Sequence, residues 1–186
     1  VTALRLPLAD EAERIRGDVE FDQAEAASDA VGSAPGLAVS ADGRMLATAG
    51  PVSLDPTSRI RVRLFTLDED GMSLLGAVEM NSGADQRVAL AFHPFEPLLA
   101  VLQHGAPSLR VIELLPERGG IGGPFEVDLS GSLAETDEPS SMAWHPSGRF
   151  IGFTLAAANE AAFFELRQSE EDGAWEISSW GNRVAT

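Results

Sequence analysis

The sequence predicts an all-β chain, a portion of a β-propeller built from four-stranded antiparallel blades. Three observations carry this. A strand–turn–strand pattern occurs three times, as Gly36–Thr48, Val88–Val101 and Met142–Thr154. The aligned turn positions, Ser40, His93 and His145, are separated by 53 and 52 residues, a period that marks an array of supersecondary units. Each period also holds four short apolar runs bounded by Gly, Pro, Asp or Ser, which is the pattern of strands and their turns.

In chain order, residues 1–21 read as half a blade. Thr2–Leu8 and Ile15–Phe21 stand as its third and fourth strands, joined by the acidic stretch 9–13. A short amphipathic helix over Ala9–Arg16 is the alternative for this segment. Three whole blades follow, at residues 36–80, 87–129 and 139–180 of a single domain. Asp42-Gly43 and Ser147-Gly148 supply the backbone freedom of a tight hairpin between first and second strands. Asp70-Gly71 and Asp172-Gly173 repeat that device between third and fourth strands. The second blade replaces the glycine turn with Pro94-Phe-Glu-Pro97, so a looser turn is expected there. The inner strands alternate small and large apolar residues, as Ala-Leu-Ala-Phe at 89–92 shows, which suits strands crowded around a channel. Gly119-Gly-Ile-Gly-Gly-Pro124 precedes a strand rather than a helix, which excludes a phosphate loop. It is expected to be a flexible connection between outer strands.

Three and a half blades of about 52 residues leave open sheet edges and an exposed inter-blade face. The expectation is a seven-bladed ring whose missing blades come from a longer parent chain, with a second copy of this chain as the alternative source.

Composition narrows the function. The chain has 186 residues, enough for a substantial core, and a formal net charge of −16. That charge argues against nucleic acid, whose phosphates call for Lys and Arg clusters, and against an anionic membrane surface. There is no cysteine and no lysine, all 13 basic residues being arginine. Thiolate nucleophiles, zinc–thiolate sites, Schiff-base chemistry and the P-loop lysine are therefore excluded. No apolar run reaches the roughly 18 residues of a membrane span, so no membrane insertion is expected. A soluble chain, cytoplasmic or periplasmic, is expected, without a choice between the two.

The turn His145-Pro-Ser-Gly-Arg-Phe150, the later Ala161-Ala-Phe-Phe-Glu-Leu166 and the turn Ser40-Ala-Asp-Gly-Arg-Met45 together resemble blades of the lactonase-like (6-phosphogluconolactonase, or YVTN-type) propellers. The blade length fits that family better than the roughly 40–45 residues of a WD40 blade. The resemblance covers about three quarters of the chain. It implies a seven-bladed ring, and an active site in a cleft at the channel mouth that uses Glu, His and Arg side chains.

Candidate site residues follow from position in the repeat. His93 and His145 recur at the same turn, each followed by Pro, so they are expected to serve that turn. His104, between second and third strands, should point to the other face, where the channel opens. Arg87 opens an inner strand at that mouth, and Asn159 and Glu160 occupy the loop equivalent to that of His104. His104, Arg87 and Glu160 are the catalytic candidates. Asp85, Asn159, Glu135 and Asp137 are the ligand-binding candidates. No run has metal-ligand spacing, and nothing in the residues calls for a cofactor. The leading expectation is a binding or scaffold module that recognises a protein or small-molecule ligand at the channel mouth. The alternative, implied by the resemblance, is a lactonase-like hydrolase opening a sugar lactone or similar cyclic ester.

Overall fold

The computed structural model describes residues 36–52, 59–68, 71–81, 87–104, 108–115, 120–129, 133, 139–169, 175–179 and 184–185. The expected half blade at 1–21, with its alternative helix, lies outside the described residues.

Thirteen strands are described, and no helix lies among the described residues. Strands β1 (Gly36–Val39), β2 (Met45–Pro51), β3 (Arg59–Asp68) and β4 (Gly71–Asn81) form the first sheet in that order. Strands β5 (Val88–Phe92), β6 (Leu98–Gln103), β7 (Ser108–Leu115) and β8 (Gly120–Asp128) form the second. The third sheet runs β9 (Pro139–Trp144), β10 (Phe150–Leu155), β11 (Glu160–Gln168) and β12 (Trp175–Ser179). Every neighbouring pair is antiparallel. A two-residue strand, β13 (Val184–Ala185), pairs with the start of β11, beyond the end of β12 on the same edge.

The register repeats from sheet to sheet. Ala47 faces Leu64, Ala100 faces Val111, and Gly152 faces Phe163 across the second and third strands. Residues of one parity therefore point to one side of each sheet. On the first sheet that side carries Ala47, Ala49, Ile60, Val62 and Leu64, all at most 3% exposed. They pack against Val88, Leu90, Leu99, Val101, Ile112 and Leu114 of the second sheet. The opposite side of the second sheet, with Leu98, Ala100, Leu102, Leu109 and Val111, packs on Ile151, Phe153, Leu155, Ala162, Phe164 and Leu166 of the third. Strand β6 is buried along its whole length because it sits between the two neighbouring sheets. Within the second interface the Phe153 and Phe164 rings lie 5.1 Å apart, tilted against each other.

The glycine run at 119–124 is not the loose connection that the sequence suggests, because Gly120 already opens β8. Pro124 pairs with Ile112, and the register against β7 shifts between Ile112 and Leu114. A fourth, edge strand has an unpaired side, so it accommodates glycine and proline that an inner strand would reject.

Candidate functional site

The two ends of the sheets differ in what they hold. At one end lie the turns at 40–44, 93–97 and 145–149, which join the first and second strands of each sheet. The first and third are twins. Ser40 N–H donates to the Met45 carbonyl at 2.9 Å and His145 N–H to Phe150 at 2.8 Å. Gly43 N–H donates to Ser40 at 2.9 Å and Gly148 N–H to His145 at 2.8 Å. Both glycines have positive φ, 72° and 73°. The side chain at the turn's first position caps it in each case. Ser40 Oγ accepts from Met45 N–H and donates to Asp42, whose carboxyl is held below the ordinary aspartate range chiefly by that bond. His145 Nδ1 contacts the Ser147 N–H and hydroxyl.

His93 does the same work in the second turn, where Nδ1 accepts from Phe95 N–H at 3.2 Å and Glu96 N–H at 2.8 Å. With Nδ1 an acceptor, the proton of the neutral ring sits on Nε2. That N–H donates to the carbonyl of Gly148 in the next sheet at 2.8 Å. Trp144 returns the contact. Its indole N–H donates to the Ala91 carbonyl at 3.1 Å, and its ring meets the His93 imidazole edge-on at 4.8 Å. This end is therefore framework, as the repeat predicts. The cross-sheet bond of His93 is not legible in the sequence, since its partner stands 55 residues away.

Arg149 reaches from its turn across to β11. With Arg167 it brackets the Glu165 carboxylate, which is only 3% exposed. The two guanidinium groups, Arg167 foremost, hold that carboxyl below the ordinary glutamate range.

The opposite end carries the candidates. Val88 pairs with Gln103, and His104 N–H then donates to the Arg87 carbonyl at 3.0 Å. The structure thus brings Arg87 and His104 side by side at the end of the β5–β6 hairpin, with Arg87 exposed and His104 half-buried. In the third sheet the equivalent end is the 156–159 turn. Asn159 occupies it with φ 53°, a left-handed conformation that Asn tolerates better than most residues, so the turn alone accounts for its presence. Glu160 follows as the first residue of β11, paired with Leu155 on one side and Ala185 on the other. Asp85, Glu135 and Asp137 lie outside the described residues. Among the described residues no three His, Cys, Asp or Glu side chains cluster closely enough to hold a metal ion.

A depression of about 730 Å³ opens elsewhere, on the outer side of the third sheet. Ala143, His145, Gly152, Thr154 and Phe163 line it. Gly152, Thr154 and Phe163 occupy the positions that the first two sheets bury beneath the sheet that follows, as Ala47, Ala49 and Leu64 and then Ala100, Leu102 and Val111.

Comparison with solved structures decides what the sheets are. A periplasmic gluconolactonase of Pseudomonas aeruginosa, PpgL, superposes with a TM-score of 0.56 at 17% identity, over 81% of this chain and 41% of that one. The sheets are propeller blades. A protein of Lactobacillus plantarum shows the same likeness, with a TM-score of 0.52 at 18% identity over 82% of this chain and 42% of its own. So does Hsv2 of Kluyveromyces marxianus, with a TM-score of 0.51 at 19% identity over 80% and 45%. This chain spans less than half the length of each. No family model and no curated protein matches the sequence. The shared property is the blade fold, and one fold hosts many activities.

Proposed function

We propose that this propeller portion is a recognition module that binds its partner at the end carrying Arg87, His104, Asn159 and Glu160. The observation that supports this is the division between the two ends. His93, His145, Trp144 and Gly148 at one end are engaged in turn and inter-blade bonds. The loops at the other end differ in length and sequence from blade to blade. The acidic residues Asp85, Glu135 and Asp137, which lie outside the described residues, are expected from the repeat in the connections between blades, and the proposal assigns them to the same end. With a net charge of −16, the favoured partner is cationic, such as an arginine-rich peptide. The test is a calorimetric titration of the chain with an arginine-rich peptide at low salt. The triple variant Asp85→Asn, Glu135→Gln, Asp137→Asn should bind about ten-fold or more weakly, and unchanged affinity sinks the proposal.

A second reading is hydrolysis of a sugar lactone. It draws on the adjacency of Arg87 and His104 and on the blade fold shared with a gluconolactonase. There His104 would take a proton from the attacking water and return it to the departing ring oxygen, and Arg87 would stabilise the negative charge developing on the carbonyl oxygen. Lactone opening that stays at the uncatalysed rate, with and without a divalent metal, counts against it.

A further inference from the structure

We infer that the open face of the third blade is a docking surface for the first blade of a second copy of this chain, joined head to tail. The two interfaces inside the chain define what each face expects. The first blade packs one side on the second, and the second blade packs its opposite side on the third. The third blade lacks a following blade among the described residues, and its Phe163 is 37% exposed where Leu64, its counterpart in the first blade, is fully buried. The first blade lacks a preceding one among the described residues, and Leu37 and Val39 are 66% and 54% exposed where their counterparts Met142 and Trp144 pack into the core. One copy thus offers the first half of a blade interface and another copy the second half. Such a heterologous contact follows naturally from a repeat.

The turns supply the specific argument for this occupant. His93 grips the Gly148 carbonyl, and a Cβ on Gly148 would stand 2.5 Å from the imidazole. One repeat later His145 is exposed on the rim of the open depression. Two repeats before Gly148 stands Gly43, in the same kind of turn, with φ 72° against 73° and, among the described residues, nothing within 4 Å of where a Cβ would lie. Among the described residues the chain therefore presents both an unengaged copy of the grip and an unengaged copy of the turn that is gripped. In the complex His145 Nε2 donates to the Gly43 carbonyl of the second copy, and Val39 of that copy covers Ala143, as Trp144 covers Ala91 within the chain.

The absence of cysteine makes the test clean. Ala143→Cys and Val39→Cys are prepared separately, then mixed at about 0.3 M salt to screen the like net charges, and treated with a short bismaleimide. A cross-linked pair of about twice the 19.7 kDa chain mass should form in the mixture and in neither variant alone. His145→Ala should weaken the association, read by sedimentation of the unmodified chain, by roughly ten-fold. A chain that stays monomeric at every concentration overturns the proposal. That result would mean that another segment or a further blade of a longer protein covers the face. Cross-linking of Ala143→Cys with itself also overturns it, because it requires like faces to meet.

Discussion

The Nε2 of His93 lies 2.8 Å from the carbonyl oxygen of Gly148, and this one bond ties the second blade's turn to the third blade's. The imidazole is spent on three backbone groups at once, two amides of its own turn and one carbonyl of the next. Replacing it by alanine leaves all three without that partner. His93→Ala should destabilise the chain by about 1–3 kcal/mol, the usual cost of orphaned buried polar groups. Urea unfolding followed by tryptophan fluorescence measures this, since Trp144 touches the ring.

Gly148 and Gly43 share a backbone conformation and differ in surroundings, which separates two costs. Gly43→Ala should lose about 1 kcal/mol, from the left-handed φ alone. Gly148→Ala carries the same strain and also drives a methyl into the His93 ring, so it should cost about 1–3 kcal/mol more. In a His93→Ala background that extra cost should vanish. A double-mutant cycle by urea unfolding gives the coupling directly.

Phe153 and Phe164 hold the interface between second and third blades from within. Phe153→Ala should cost about 3–5 kcal/mol, because the surrounding strands are pinned by their ladders and cannot collapse into the cavity. Thermal unfolding should show the loss as a lowered midpoint.

Glu165 sets an acid limb. Its carboxyl titrates lower in the folded chain than in the unfolded one, because Arg167 and Arg149 favour the charged form. Its stabilising contribution is therefore complete above the unfolded value of about 4.3 and is lost as pH falls through the lower folded value. Glu165→Gln should lower the urea midpoint at pH 7. It should also flatten the dependence of that midpoint on pH below about 4.5, relative to the parent chain.

Much of the framework is legible in the sequence because it repeats. The recurring Ser40, His93 and His145 positions locate the turns, and Asp42-Gly43 and Ser147-Gly148 their tight conformation. What crosses between blades is not legible. The bonds from His93 to Gly148 and from Trp144 to Ala91 join residues 55 and 53 positions apart, and no local pattern encodes them. The glycine run at 120–123 reads as a loop because local propensity cannot see that β8 is an edge strand. The open face of the third blade leaves a fainter signal. Gly152 and Thr154 stand where the second blade has Ala100 and Leu102, an apolar position turned polar or small. Of the candidate site, the pairing of Arg87 with His104 follows from hairpin register, whereas Asn159 is explained by its turn.

If one end of these blades is framework and the other serves recognition, a single calorimetric comparison separates them. An arginine-rich peptide is titrated into the parent chain, the Asp85→Asn, Glu135→Gln, Asp137→Asn variant and the Ser147→Ala variant. The first variant should lose about ten-fold or more in affinity. The second, whose change lies in the framework turn, should bind like the parent. Equal affinity for all three chains, or a loss confined to Ser147→Ala, would show that the two ends do not divide the work in this way.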